Sequence, residues 1–395
     1  MSTAHHATAT PAWISADDCR LSDLLAVLEE QTRLDDYPHA TRVEQQVLVY
    51  DATRLRRGLD DPGSRRGIQA EIARALSSGP GIVVLTNAFD DESVLDRTTA
   101  AFNAMIADQH SRGTAGGDHF AKPGANDRVW NALEKLAVTD PEAFVAYYAN
   151  DMVALAATAW LGPGYQVTSQ VNVVNPGGEG QTVHRDYHLG FQSDDVCAEY
   201  PAHVHALSQV LTLQGAVAHC DMPVVSGPTL YLPHSQKYSH GYVAYRRPEF
   251  QDYFVTHHIQ LPLAKGDAVF FNPALFHAAG SNHSSDIRRM ANLLQISSAF
   301  GRAMETVDRE RIVNAVYDAL LVAQANGLPE EGVAHVVAAS AEGYSCPTNL
   351  DRDQPLGGMA PQTQAELVAR AVGERVDARE LRARLAAQAA TKLSH

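Results

Sequence analysis

The feature that most constrains this chain is a change of texture near residue 165. From there to about 300, short β-branched runs are separated by Gly, Pro, Asn and Asp. Candidate strands are 166–174, 182–184, 207–217, 229–232, 258–263, 268–271 and 289–297. Strands this short and this regularly interrupted close into a sandwich or barrel rather than a parallel sheet. On both sides the apolar spacing is helical. Leu21, Leu24, Leu25 and Leu28, then Ile68, Ile72 and Leu76, then 152–161 follow a 3.6-residue period. One strand, 81–85, interrupts that half, and helices return over 304–325 and 364–390. The expected fold class is a mainly β core with helical flanks (α+β). Its regions are 1–165, mostly helical and packed on the barrel, 166–300, the core, and 301–395, a helical extension. No Pro/Ser-rich linker separates them, so one cooperative unit is expected.

Charge narrows the partners. The formal net charge is -15, and an acidic chain repels phosphate backbones, so no nucleic-acid partner is expected. The one basic patch, Arg54 to Arg66, is broken by Asp60 and Asp61 and reads as a solvated helix face. Four well-separated cysteines form neither a disulfide framework nor a zinc ribbon, and the first 18 residues hold no apolar leader core. With no long apolar run, no membrane partner is expected either, and the cytoplasm is the expected compartment.

Chemistry begins at His184-Arg185-Asp186. On an extended segment residues i and i+2 point the same way, so one imidazole and one carboxylate can share a metal ion. The pattern is weak alone: it recurs at His219-Cys220-Asp221. A facial triad needs a third ligand from elsewhere in the chain. The stretch 265–277 supplies one: a turn, an apolar strand, a kink, then His277. Beyond it lie two adjacent arginines, Arg288 and Arg289, at the start of another strand. An arginine facing into a barrel needs an anion, because a buried unpaired charge is costly. A dicarboxylate cosubstrate meets that need through paired hydrogen bonds.

Taken in order, H-x-D, then G-P-T-L-Y-L-P-H-S at 227–235, then G-D-A-V-F-F…H-A-A-G-x-N-x-S…R-R resembles the phytanoyl-CoA dioxygenase family of Fe(II)/2-oxoglutarate oxygenases. The likeness runs from about Gln170 to Ser298. It implies a double-stranded β-helix (a cupin-like jelly roll), with His184, Asp186 and His277 as metal ligands and as the catalytic set. It implies Fe(II), 2-oxoglutarate and O2 as cofactors, and Arg288 as anchor for the distal carboxylate of 2-oxoglutarate. The implied reaction is oxidation, hydroxylation foremost, of an unactivated C–H bond in a small organic substrate, with succinate and CO2 released. Related halogenases lack the carboxylate that Asp186 supplies, which favours oxygenation. Pro233-His234-Ser235 departs from the family's usual P-G-S-H.

Pleat geometry adds further expectations. Arg288 and Arg289 are neighbours, so only one can enter the barrel; the family spacing selects Arg288. Gln170 and Asn172 share a strand face and either contact 2-oxoglutarate or only pin the strand; Thr229 is a further candidate. His219 and Asp221 read as structural. The loop 119–126, with Arg128 and Trp130 after it, reads as a pocket lid or as an ordinary surface loop. The last helical segment packs its apolar face on the barrel or on a second copy, so a homodimer is open. The alternatives are a cupin-like metal enzyme that does not use 2-oxoglutarate, and a non-catalytic small-molecule-binding barrel. The substrate stays open between an amino acid, a natural-product intermediate and an acyl-CoA.

Overall fold

The structure is a computed structural model that describes residues 12–113 and 125–395. Among the described residues, eleven strands form two sheets. They are β1 (Arg42–Glu44), β2 (Val47–Asp51), β3 (Ile82–Thr86), β4 (Asn126–Val129), β5 (Gln166–Val174), β6 (Thr212–Ala218), β7 (Leu230–Leu232), β8 (Ile259–Gln260), β9 (Ala268–Phe271), β10 (Phe276–Ala278) and β11 (Arg289–Ser297). The large sheet runs β1-β2-β3-β9-β6-β11-β5-β4, and the small one β10-β7-β8. All pairings are antiparallel except β2 with β3. Isolated bridges tie His184 to His277 at the β10 edge of the small sheet and Met222 to Leu263, three residues beyond β8. Four central strands facing a short, partly irregular sheet are the two walls of a jelly roll, the expected cupin-like architecture.

Register decides which side chains face the space between the walls. In β11, Arg289, Ala291, Leu293 and Gln295 alternate with Met290, Asn292, Leu294 and Ile296. Antiparallel pairing sets Ala291 opposite Asn172 and Ala218, and Gln295 opposite Thr168 and Gln214. The other parity (Val167, Val171, Val173, Leu213, Val217, Leu294, Ile296) packs against helices in the largest apolar cluster. That cluster also takes residues from 37 to 76, 129 to 157 and 312 to 385, so both flanks and the barrel share one core.

Local signals explain most helix boundaries. Asp61 and Asp140 accept N-terminal amide hydrogen bonds, each just before a proline that opens the helix, at Pro62–Ser77 and Pro141–Tyr148. Three expectations need correction. The strand expected from 207 starts only at Thr212, because Ala202–Val210 is a helix after Pro201. Its buried positions, His205 and Ser208, are three apart, a helical spacing carried by polar residue types. The single helix expected at 364–390 is two, Gln364–Glu374 and Ala378–Thr391. Arg375 turns left-handed at φ 53° and Asp377 caps the second. Their apolar face (Leu367, Val368, Ala371, Val372, Leu381, Leu385) is spent inside this chain. Finally, the region before 165 holds β1, β2 and β4 besides the one expected strand.

Candidate metal centre and cavity

His184 and Asp186 lie on an extended segment beside β10, and His277 is the middle residue of β10. The His184 amide donates to the His277 carbonyl (2.9 Å) and the His277 amide donates back (3.2 Å). The Asp186 amide donates to the Pro273 carbonyl at 3.0 Å. The three side chains converge, with one ligand atom from each within 4.8 Å of the others. The imidazole centroids are 4.4 Å apart, and His277 Nε2 is 3.3 Å from an Asp186 oxygen.

The donor set fits a metal ion. His184 Nδ1 lies 2.9 Å from the Thr182 carbonyl and His277 Nδ1 2.8 Å from the Leu275 carbonyl. A carbonyl only accepts, so each Nδ1 carries a proton and each Nε2 is turned toward the carboxylate. A cation belongs at that meeting point, a proton on Nε2 or a metal ion held by all three groups. This is the orientation that outer hydrogen bonds impose on metal-binding histidines. Two imidazoles and one carboxylate on a single face suit non-haem iron.

Burial pushes the Asp186 carboxyl up, yet His184, His277 and Gln214 together hold it well below the usual carboxylate range. Gln214, on the inner face of β6, donates its amide to the Asp186 oxygen that also faces His277. Sequence reasoning missed it. The available signal was an isolated polar side chain on an otherwise apolar strand.

The centre opens into a cavity of about 690 Å³, a volume suited to a small organic ligand together with a cosubstrate. Of the two arginines, the inward one is Arg289, not Arg288. Arg289 lines the cavity and is 6% exposed, with its Nη1 lacking a hydrogen-bond partner. Burial lowers its pKa to about 10, and among the described residues no carboxylate pairs with it. Arg288 lies outside the cavity, with its side chain 52% exposed, toward Asn175 (3.3 Å) and Asp127 (3.6 Å). The physical reason is parity. Arg289 shares its pleat face with Gln295 and, across the ladder, with Asn172 and Gln170, whereas Arg288 precedes the strand in phase with Met290, Leu294 and Ile296.

Thr229, Asn172 and Gln170 all line the cavity. Asn172 Oδ1 is buried without a partner. Gln170 is engaged on both sides: Arg128 donates to its oxygen at 3.0 Å, and its own amide donates to Gln295 at 3.2 Å. It pins three strands whatever else it touches. Tyr231, another cavity residue, was not singled out from the sequence. Of the expected lid, 119–124 lie outside the described residues. Arg128 and Trp130 do line the cavity, the guanidinium 5.1 Å from the indole centroid. His219 is remote from the metal cluster, buried behind β6 with Thr99 (2.8 Å) and Tyr147 (3.1 Å) on its ring nitrogens.

Comparison with known proteins gives a family and distant structural likenesses. The family described as phytanoyl-CoA dioxygenase (PhyH) matches residues 77–290. No curated protein matches. Among solved structures, the non-haem α-ketoglutarate-dependent epimerase SnoN from nogalamycin biosynthesis is similar at 17% identity and TM-score 0.37, over 60% of this chain and 82% of that one. The carbocyclase SnoK from the same biosynthesis gives 19% and 0.39, over 57% and 83%. AviO1 from Streptomyces viridochromogenes Tue57 gives 17% and 0.43, over 59% and 96%.

Proposed function

Because this chain belongs to the phytanoyl-CoA dioxygenase family, whose enzymes use Fe(II) and 2-oxoglutarate, we propose that it hydroxylates an unactivated C–H bond of a small organic molecule. His184, Asp186 and His277 hold the iron, and Arg289 anchors the distal carboxylate of 2-oxoglutarate. The observation that carries this reading is the joint placement of a His-Asp-His cluster and an uncompensated buried guanidinium on one cavity. Iron, 2-oxoglutarate and O2 together supply the oxidising power, with succinate and CO2 as coproducts. The carbonyls of Thr182 and Leu275 accept from Nδ1–H of the two imidazoles, fix their rings and aim Nε2 at the metal position. Gln214 keeps Asp186 ionised and oriented. Arg289 and Asn172 supply a charged donor and a buried acceptor near the centre, while Phe271, Val269 and Leu261 exclude water from the wall beside them. Arg128, Trp130, Phe191 and Met304, on the same cavity, supply contacts for the substrate.

The test is succinate release with Fe(II), ascorbate and a panel of small metabolites. The expected result is succinate that depends on a panel member, accompanied by a product 16 Da heavier than that substrate. Iron-dependent turnover without succinate would instead favour a metal enzyme that does not use 2-oxoglutarate. No iron dependence at all would leave a binding barrel.

A further inference from the structure

Arg185 stands between the two ligands of the His184–Asp186 segment, and its side chain runs the opposite way, into the protein. It is 2% exposed and, among the described residues, has no carboxylate partner. Burial lowers its pKa to about 10. Packing alone does not account for it, because an apolar side chain of similar volume would fill the space without the desolvation cost of a buried charge.

Its contacts give the account. One terminal nitrogen donates to the carbonyls of Ser235 (2.6 Å) and Tyr238 (2.9 Å). The guanidinium lies 5.2 Å from the Tyr242 ring centroid and 5.1 Å from that of Phe276. Gly241 leaves the room: a Cβ there would fall 1.8 Å from the guanidinium carbon. Phe276 directly precedes His277, and its amide donates to the Ser235 hydroxyl at 2.8 Å. Ser235 therefore holds the His184–Asp186 segment by its carbonyl and the His277 strand by its hydroxyl. The backbone of the segment is tied to the β10 side by the bridge at His184 and by the Gln181 and Asp186 amides, which donate to the Ala279 (2.9 Å) and Pro273 (3.0 Å) carbonyls.

We propose that Arg185 is a positioning residue, a clamp behind the metal centre that sets the His184–Asp186 segment in register with His277 through Ser235, Tyr242 and Phe276. The inference rests on the assignment of His184, Asp186 and His277 as metal ligands. It predicts that the clamp acts on metal affinity beyond any effect on folding.

The test is Co(II) affinity, read by absorbance titration, in the full chain and in Arg185→Met, with thermal unfolding of the metal-free proteins alongside. The expected result is a folded variant whose Co(II) Kd is raised about 10- to 100-fold, the range typical of lost outer contacts. Arg185→Lys keeps the charge but has no planar group to lie against both rings, so its affinity falls as well. If Arg185→Met does not fold, Arg185→Lys and Tyr242→Leu carry the test with the same expectation. Folded variants that bind Co(II) within about twofold of wild type would overturn the clamp and leave the triad standing. Wild type that binds no better than Asp186→Ala would overturn the triad itself, and the clamp with it.

Discussion

The two faces of the large sheet are built from the same strands and do opposite jobs. The outward parity of β5, β6 and β11 is mostly aliphatic and meets helices from both ends of the chain. The inward parity carries Gln170, Asn172, Gln214, Gln295 and Arg289 around a cavity, with apolar cover supplied by β3 and β9. The main stabilising core of this barrel therefore lies outside it. The inside is organised around polar groups that are costly to bury and worth keeping only if something binds there.

Substitutions that break one face and spare the other test this division. The largest effect is expected at the centre: His184→Ala or Asp186→Ala lowers succinate formation more than about 100-fold, since a lost ligand costs more than a lost outer contact. A succinate assay on folded protein checks it. Next comes the arginine pair. Arg289→Gln raises the KM for 2-oxoglutarate by about 30-fold or more, the cost of truncating a buried charged contact. Arg288→Gln, at an exposed site, leaves that KM nearly unchanged, and a reversed order would reinstate Arg288. On the outer face, Leu294→Ala costs about 2–5 kcal/mol of stability by urea unfolding while activity per folded molecule is retained. The smallest effect is at His219. Burial, with Lys265 a lesser contributor, lowers its pKa to about 3. The unfolded histidine titrates near 6.5, so below that pH the unfolded state takes up a proton that the folded state refuses. Stability then falls with decreasing pH by at most about 1.4 kcal/mol per unit, and is fully present above. His219→Gln flattens the slope of urea midpoint against pH between 7 and 5.

How much of this was legible in the sequence follows from the kind of signal each part leaves. Strands β5, β9 and β11 announce themselves by β-branched runs between turns, and all three are found at the expected residues. The His184, Asp186 and His277 cluster was readable because an ordered series of motifs points to it, and the fold brings it together. Arg289 was not, because residues 279–288 form a loop between His277 and the next strand. A count carried across a loop says nothing about pleat phase. The strand's own polar parity, Arg289 with Gln295, held that information. Gln214 and Arg185 escaped for a different reason: their partners lie far along the chain, at Asp186 and at Ser235 and Tyr238. The helix 202–210 was hidden because its buried side chains are polar.

The C-terminal helices reach back to the barrel. Arg309, at the start of the Arg309–Ala325 helix, donates to the carbonyls of Val167 on β5 (2.7 Å) and Ala339 (2.9 Å), while Leu381 and Leu385 close the same apolar layer. A ribosome thus delivers every strand, with the N-terminal helices that cover part of their outer side, before it delivers the C-terminal share of that cover. For the time needed to add residues 298–385, at roughly 5–20 per second, part of the outer side of the barrel still shows a greasy surface to the cell.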